Sequence, residues 1–349
     1  MKWPVTTLGS LIELQRGHDL PVQHRIAGVI PVVGATGILG RHQTAKYLGP
    51  GVLIGRSGVI GGALYVNEPY WPLNTTLFVK DFRGNNPRWV YYLLKTIDFS
   101  GFNSGSAQPS LNRNYIAKIE VMKPTVKEQC AIAATLGALD DKIESNRRAI
   151  KTIEDLLQAD FKAVLEQHEF TLLSFDDVVN RLPVNHKHSH GSVGSRGRIA
   201  VLDQSELGIL GYHDRDAEFV TTANNPLCLF GDHTCSWRLG IGSFDVGPNV
   251  IPITTSSVSG VHNTWLYFSL LGAQDFQEYR RHWMELKRHA IPWVSYKVQD
   301  LFVTRATALL QYWSYLLAQS RRLADLRDAL LPELLSGRIK VPEAREIVI

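Results

Sequence analysis

Slid against itself by 176 residues, the chain meets itself repeatedly and in order. VLIG (Val52 to Gly55) falls on CLFG (Cys228 to Gly231), Pro72 on Pro248, and Leu77 on Ile253. Trp89-Val90-Tyr91-Tyr92 falls on Trp265-Leu266-Tyr267-Phe268. A repeat of that period makes each copy a domain-sized unit, and a 349-residue chain has room for two. After a seven-residue gap, QPSLNRNYIAKIEV (from Gln108) overlays IPWVSYKVQDLFVT (from Ile291), pairing Pro109 with Pro292 and Ile119 with Phe302. At an offset of 174, Leu136, Leu139, Ile143 and Leu157 then lie over Leu310, Trp313, Leu317 and Leu331. Asn146-Arg147-Arg148 lies over Ser320-Arg321-Arg322, although Ile150 meets Ala324 and Ile153 meets Arg327. Two unrelated domains with incidental similarity would not keep these matches in order.

The first helical stretch, LGALDDKIESNRRAIKTIEDLL (from Leu136), spaces its apolar residues alternately by three and four. Leu136, Leu139, Ile143, Ile150, Ile153 and Leu157 form the series, and Asn146 fills its remaining slot. That is the narrow seam of a coiled coil. Two matched helices in one chain can lie antiparallel with Asn146 facing Ser320, a polar pair that fixes register. Forty helical residues span about 60 Å, enough for a rigid spacer. The alternative is that each helix only caps its own module; neither has the wide apolar face such a role needs. The expected seam is therefore Leu136, Leu139, Ile143, Asn146, Ile150, Leu310, Trp313, Leu317, Ser320 and Leu331.

Each module reads as β-rich. GVLIG, GALYV and TLFVK in the first copy, and RIAVL, PLCLF and VIPIT in the second, are strand-like runs bounded by Gly, Pro and Asn. WVYYLL and TWLYFSLL read as apolar helices on those sheets, or as buried strands, since short apolar runs leave both open. The fold class is α+β: two tandem β-rich domains separated by a pair of long antiparallel coiled-coil helices.

Several strings resemble the specificity (S) subunit of type I restriction-modification systems. GSAQPSLNRNYIAKIEV (from Gly105) with KPTVKEQCAIAATLGALDDKIE (from Lys123) is similar to that family's passage from recognition domain into central helix. LRDALLPELLSGRIKV (from Leu326) resembles its C-terminal tail. WPVTTLGSLIELQRG and FTLLSFDDVVN (from Phe170) resemble its opening strand and helix, once per copy. The second copy departs from the pattern, with IPWVSYK where the first has QPSLNRN, and with no Pro and Glu-Gln pair in its link to the helix.

The resemblance implies target-recognition domains at 1–125 and 168–304, a central spacer helix at 126–167, and a C-terminal spacer helix and tail at 305–349. It implies a non-catalytic subunit that reads a bipartite target in double-stranded DNA and docks two methyltransferase subunits, with restriction/translocase subunits joining. No cofactor is expected in this chain; S-adenosylmethionine, ATP and Mg²⁺ would belong to the partners.

Base reading needs side chains that pair with base edges, plus cations and amides for phosphates. The first copy offers Arg41, His42, Arg56 and Ser57 in Gly-rich turns, and Asn103, Ser104, Ser106, Gln108, Asn112 and Arg113 in one polar loop. The second offers Lys187, Arg196 and Arg198 in NHKHSHGSVGSRGR (from Asn185), His233 and Arg238 in HTCSWR, and Lys287, Arg288 and Lys297 in and beyond the helix-like QEYRRHWMELKRH (from Gln277). Taken singly, each Arg or Lys is as readily a solvated charge. A net charge of +4 permits a polyanionic partner without naming one.

Other chemistries fit less well. GPGVLIGRSG (from Gly49) misses phosphate-loop spacing and has Arg56 in place of the Lys; no amphipathic helix follows Gly34, Gly37 and Gly40. Cys228, His233 and Cys235, with His186, His188 or His190, make an irregular zinc set, so no metal is expected. The triple-His stretch reads at most as a weak, adventitious binder. No nucleophile elbow, HExxH helix or carboxylate cluster stands in convincing context. A stand-alone DNA-cleaving enzyme and a non-DNA-binding scaffold are the alternatives. Three cysteines give no disulfide framework, and no apolar run approaches eighteen residues, so a cytoplasmic protein without membrane contact is expected.

Overall fold

The structure, a computed structural model, describes residues 3–103, 109–205, 208–274, 276 and 281–341. It divides into two compact units, Met1–Ile143 with Arg321–Ile349, and Glu144–Ser320.

The first unit begins with β1 (Val5–Thr7), α1 (Leu8–Leu11), β2 (Glu13–Arg16), β3 (Ile30–Gly34) and β4 (Gly37–His42). It continues through β5 (Gly51–Gly55), β6 (Gly61–Val66), β7 (Trp71–Pro72), β8 (Thr76–Asp81), α2 (Pro87–Thr96), α3 (Arg113–Ile116) and β9 (Glu120–Met122). The apolar run GVLIG becomes β5, buried throughout because β8 and β6 flank it in the sheet β2-β8-β5-β6. β4-β3-β7 is a second sheet, with β3 and β7 parallel, and β1 pairs with β9. WVYYLL lies in α2, whose start is fixed by Pro87 and by Asn86 Oδ1 accepting from Trp89 N at 3.0 Å. Trp89, Val90, Tyr92, Leu93 and Leu94 are buried on it.

The long helix α4 (Val126–Gln167) opens on a capping box: Thr125 Oγ1 accepts from Glu128 N, and Glu128 Oε2 accepts from Thr125 N. The second unit follows with β10 (Thr171–Leu173), α5 (Phe175–Val178), β11 (Val179–Arg181), β12 (Ile199–Leu202), β13 (Ile209–His213) and β14 (Phe219–Thr221). Then come β15 (Leu227–Gly231), β16 (Trp237–Gly240), β17 (Gly242–Val246), β18 (Val250–Thr255), α6 (Asn263–Leu270), α7 (Trp283–Leu286), β19 (Ile291–Trp293) and α8 (Tyr296–Leu335).

Strand for strand, the second unit repeats the first. β10-β19 repeats β1-β9, β11-β18-β15-β16 repeats β2-β8-β5-β6, and β13-β12-β17 repeats β4-β3-β7, down to the parallel central pair. Among the described residues the second unit adds β14 outside β17.

The structure corrects the sequence alignment between the modules and the long helices. IPW of the second copy is β19, the equivalent of β9, and is not the equivalent of QPSLNRN. The offset at the helix start is accordingly 170, which sets Gln299 over Gln129. Both are fully buried and do the same work. Gln129 accepts from Asn86 N at 2.9 Å and donates to Pro124 O at 3.1 Å. Gln299 accepts from His262 N at 3.3 Å and donates to Val294 O at 2.9 Å. Asn86 and His262 are the N-caps of α2 and α6, so each Gln ties a long helix to its module. The second link thus keeps the Gln that the sequence comparison found missing.

Contacts between α4 and α8 run antiparallel. In the second unit Asp160 meets Arg305 at 2.9 Å, the Phe161 and Phe302 rings are 5.8 Å apart, and Asn146 meets Ser320 at 3.1 Å. In the first unit Asp140 meets Arg327 at 2.7 Å. Leu136, Leu139, Leu310 and Leu331 are buried; Ile150 and Trp313 pack partly buried against a core, and Ile143 is half-buried. Leu317 corrects the expected seam: it is 53% exposed, and Leu316, 1% exposed, takes its place. The helices are also more than a seam. Ile132, Ala133, Leu136 and Leu139 share a core with Trp89 and Leu330, while Ile153, Leu157, Phe161 and Val164 share one with Trp265 and Phe302. The start of α8 at Tyr296, ahead of position 305, follows from this, because Phe302 and Val303 belong to the module core.

Candidate nucleic-acid interface

In the first unit the ends of β2, β5 and α3 converge on one open cleft of about 680 Å³. Arg16 closes β2, Arg56 follows β5, and Arg113 opens α3, so three guanidinium groups line it together with Gln15, His18, Ser110 and Asn112. Arg56 is anchored through its backbone N–H to Thr75 O at 2.8 Å, leaving its half-buried side chain facing the cleft. Burial, and then the nearby Arg16 charge, push the Arg56 guanidinium pKa down. Clustered like charges of this kind are relieved by an anion. His18 is held toward its neutral form by burial and by Lys46, against the pull of Asp19.

Of the residues expected from sequence, Arg56, Asn112 and Arg113 line this cleft. Asn112 is partly committed, since its Oδ1 caps α3 by accepting from Asn114 N at 2.9 Å. Ser57 borders the cleft through its bridge to Ser110, and Asn103 Oδ1 accepts from Ser110 N at 2.9 Å. Ser104, Ser106 and Gln108 lie outside the described residues. Arg41 and His42 sit on β4 and do not line the cleft. His42 is a correction: it is 6% exposed, its Nδ1 accepts from Ile26 N at 3.0 Å, and its ring stands edge-on to Trp71. It holds a hairpin in place and presents no face to a base. Arg41 donates to Val29 O.

The second unit builds the corresponding place differently. Aligned through β8 and β18, Arg16 corresponds to Arg181; the offsets of 176 and 170 bring Asp232 to Arg56 and Trp283 to Arg113. Arg181 lies 5.8 Å from the Trp283 ring centre, and Asp232 Oδ1 accepts from the backbone N–H groups of His282 and Trp283. Three arginines in one copy therefore become an arginine, a carboxylate and an indole in the other.

The remaining second-copy candidates are dispersed. Lys187, Arg196, Arg288 and Lys297 are exposed. Arg198 is exposed as well and is held by Asp214, its backbone N–H donating to Oδ1 at 2.8 Å and Nη2 to the carbonyl at 3.0 Å. Arg238 donates to Asp203 O at 3.2 Å and to Ser205 O; Lys287 pairs with Asp176 at 2.8 Å; His233 is half-buried. QEYRRHWMELKRH is helical over Trp283–Leu286, with Gln277 to Arg280 outside the described residues. Arg16 and Arg181 were missed by sequence reasoning, although each ends a strand recognisable from the opening motif. The irregular zinc set does not assemble: Cys228 is buried in β15, donates to Asn263 O, and has its thiol pKa pushed up by burial.

Comparison with known proteins bears on this geometry directly. Residues 1–155, which include the whole arginine cleft, match the family described as Type I restriction modification DNA specificity domain. The match takes in the first copy and the first part of α4. Over 140 residues it is 25% identical to the Type I restriction enzyme EcoprrI specificity subunit of Escherichia coli, a match covering 38% of this chain and 35% of that relative. The chain thus spans about a third of the length of the curated relative it matches. The crystal structure of a Type-I restriction-modification system S subunit from M. genitalium shares the fold, at a TM-score of 0.59 and 14% identity, over 95% of this chain and 96% of that one. That likeness carries the α+β architecture across both copies, including the second, which the family match does not reach. No helix among the described residues is long and apolar enough to cross a membrane.

Proposed function

We propose that the chain is the DNA-sequence-recognition subunit of a type I restriction-modification complex. Each unit reads one half of a bipartite double-stranded target, and the paired helices set the interval and dock two methyltransferase subunits. The chain carries out no chemistry itself. S-adenosylmethionine sits on the methyltransferase subunits, and ATP and Mg²⁺ on restriction/translocase subunits that join them.

The observation that carries this reading is the arginine-lined cleft of the first unit, set against the different residues at the corresponding positions of the second. Arg16, Arg56 and Arg113 suit phosphate and guanine contacts. The same positions in the second unit hold Arg181, Asp232 and Trp283, side chains of different hydrogen-bonding chemistry on the same strand framework. Divergent side chains on a repeated scaffold are what two different half-sites require.

The test is single-molecule methylome sequencing of a host that carries this gene with its methyltransferase partner, against a deletion of this gene alone. Loss of methyladenine at one split motif supports the reading. If methylation at every motif survives the deletion, and the purified complex shows no salt-sensitive binding to duplex DNA, the chain is a scaffold. Metal-dependent nicking by the chain alone would favour the cleaving-enzyme reading.

A further inference from the structure

Three imidazoles of the second unit converge on a single carboxylate oxygen. His188 Nε2 lies 2.7 Å from Asp245 Oδ2, His213 Nε2 lies 3.1 Å from it, and His186 Nδ1 lies 3.2 Å from it. Asp245 is fully buried on β17, His213 ends β13, and His186 and His188 come from the segment between β11 and β12. We propose that His188, His213 and Asp245 bind one divalent transition-metal ion of the zinc class as a structural clip, with the half-exposed His186 swinging in as the fourth ligand.

Hydrogen bonding alone accounts poorly for this arrangement. A carboxylate oxygen has two lone pairs, and three imidazole nitrogens crowd this one while Oδ1 already accepts from Glu218 N at 2.6 Å. Around a tetrahedral ion with bonds of about 2.0–2.1 Å, ligand atoms stand roughly 3.3 Å apart. The ligand atoms of His188, His213 and Asp245 already lie within 4.8 Å of one another, and the half-exposed His186 has to swing in to complete the set. Three imidazoles and one carboxylate are a donor set suited to zinc and its neighbours, in preference to magnesium or calcium.

The charge around the site points the same way. The Glu218 side chain is 9% exposed, and its carboxylate accepts from the backbone N–H groups of Asn185 and His186 at 2.6 and 2.8 Å. Two carboxylates therefore enclose the imidazoles at the edge of the core, and a divalent cation neutralises them. Glu218 would be an outer carboxylate that orients the His186 backbone while Asp245 ligates.

The first copy shows that the cluster is a specific addition. The strand position of His213, paired with Ile199, is that of His42, paired with Ile30. The position of Asp245, beside Val201, is that of Trp71, beside Val32. In the first copy the imidazole meets an indole edge; in the second it meets a carboxylate and two further imidazoles from an adjacent loop. With His186 drawn in, four protein positions are filled and no opening is left for a substrate, which assigns the ion a structural role. It fastens the Gly/Ser-rich segment that carries Lys187 onto the sheet.

The experiment uses the full chain without an affinity tag. Metal content is measured after purification, and chelator-stripped protein is titrated with Co²⁺ in the visible range and with Zn²⁺ by thermal melting. One ion per chain, a tetrahedral Co²⁺ absorption displaced by Zn²⁺, and a melting point raised by Zn²⁺ are expected. His186→Ala, at a half-exposed position that leaves the core intact, weakens Co²⁺ binding at least tenfold, whereas His190→Ala in the same loop leaves it unchanged. A folded chain that takes up no metal overturns the proposal. So does binding that survives both His186→Ala and His188→Ala, or that is lost with His190→Ala.

Discussion

Asn146 Nδ2 donates to Ser320 Oγ at 3.1 Å and to Gln319 Oε1 at 2.9 Å, joining α4 to α8 at a buried polar point in an otherwise apolar seam. Asn146 is 1% exposed, and its Oδ1 has no hydrogen-bond partner among the described residues. The pair therefore specifies register more than it stabilises. Asn146→Leu should change the unfolding free energy by no more than about 1 kcal/mol in either direction, measured by denaturant titration. A loss of several kcal/mol would mean that the polar contacts hold the helices together.

Leu316 and Leu317 are adjacent, and one of them faces the partner helix. Leu316→Ala should cost about 2–4 kcal/mol, because it opens a cavity beneath a 1%-exposed side chain. Leu317→Ala, at an exposed site, should stay within about 0.5 kcal/mol. The reverse order in thermal melts would restore the seam expected from the three-four spacing alone.

Gln129 and Gln299 make matching bonds at the foot of each long helix. Replacing either by Leu strands the N–H of an N-cap residue and should cost about 1–3 kcal/mol, to a similar extent in both copies. A large effect in one copy and none in the other would break the equivalence drawn between them.

Arg88 grips Asp141 with two hydrogen bonds of 2.6 and 2.9 Å, and Gly137 makes room for the guanidinium, which a Cβ there would meet at 2.7 Å. Those bonds, working against burial, hold the Asp141 carboxyl below its usual value of 3.8. Because the folded pKa is lowered, the contribution is full above that value and fades as pH falls through the folded one. At 65% side-chain exposure it is small, under about 1 kcal/mol. Asp141→Asn should thus be slightly less stable than the parent at neutral pH and equal to it at strongly acid pH. A difference that grows on acidification would reverse the sign of this argument.

How much of this was legible in the sequence depended on distance along the chain. GVLIG and TLFVK are continuous apolar runs between turn residues, so β5 and β8 could be read directly. The seam could be read because three-four spacing is local. Leu316 was hidden because the rule cannot tell adjacent leucines apart once the helix also has to cover a module core. The link from Ile291 was misaligned because QPS and IPW both carry Pro at the second place, although one is loop and the other strand. Arg56, Asn112 and Arg113 were named from the sequence, but their convergence with Arg16, and the meeting of the His-Asp cluster, were hidden because the members lie on separate elements. Of the cluster, His186 and His188, two apart, left a trace in the sequence.

The central claim is that each unit reads its own half of a split DNA target. Its most direct test is selection from a random duplex pool by the purified complex, for the parent chain and for Arg56→Ala with Arg113→Ala. The parent should enrich two short blocks separated by a fixed gap. The double variant should relax one block and leave the other intact. It should also lower the salt dependence of binding by about one unit of slope for each phosphate that is no longer neutralised. Equal weakening of both blocks, or enrichment of one continuous motif, would contradict the account.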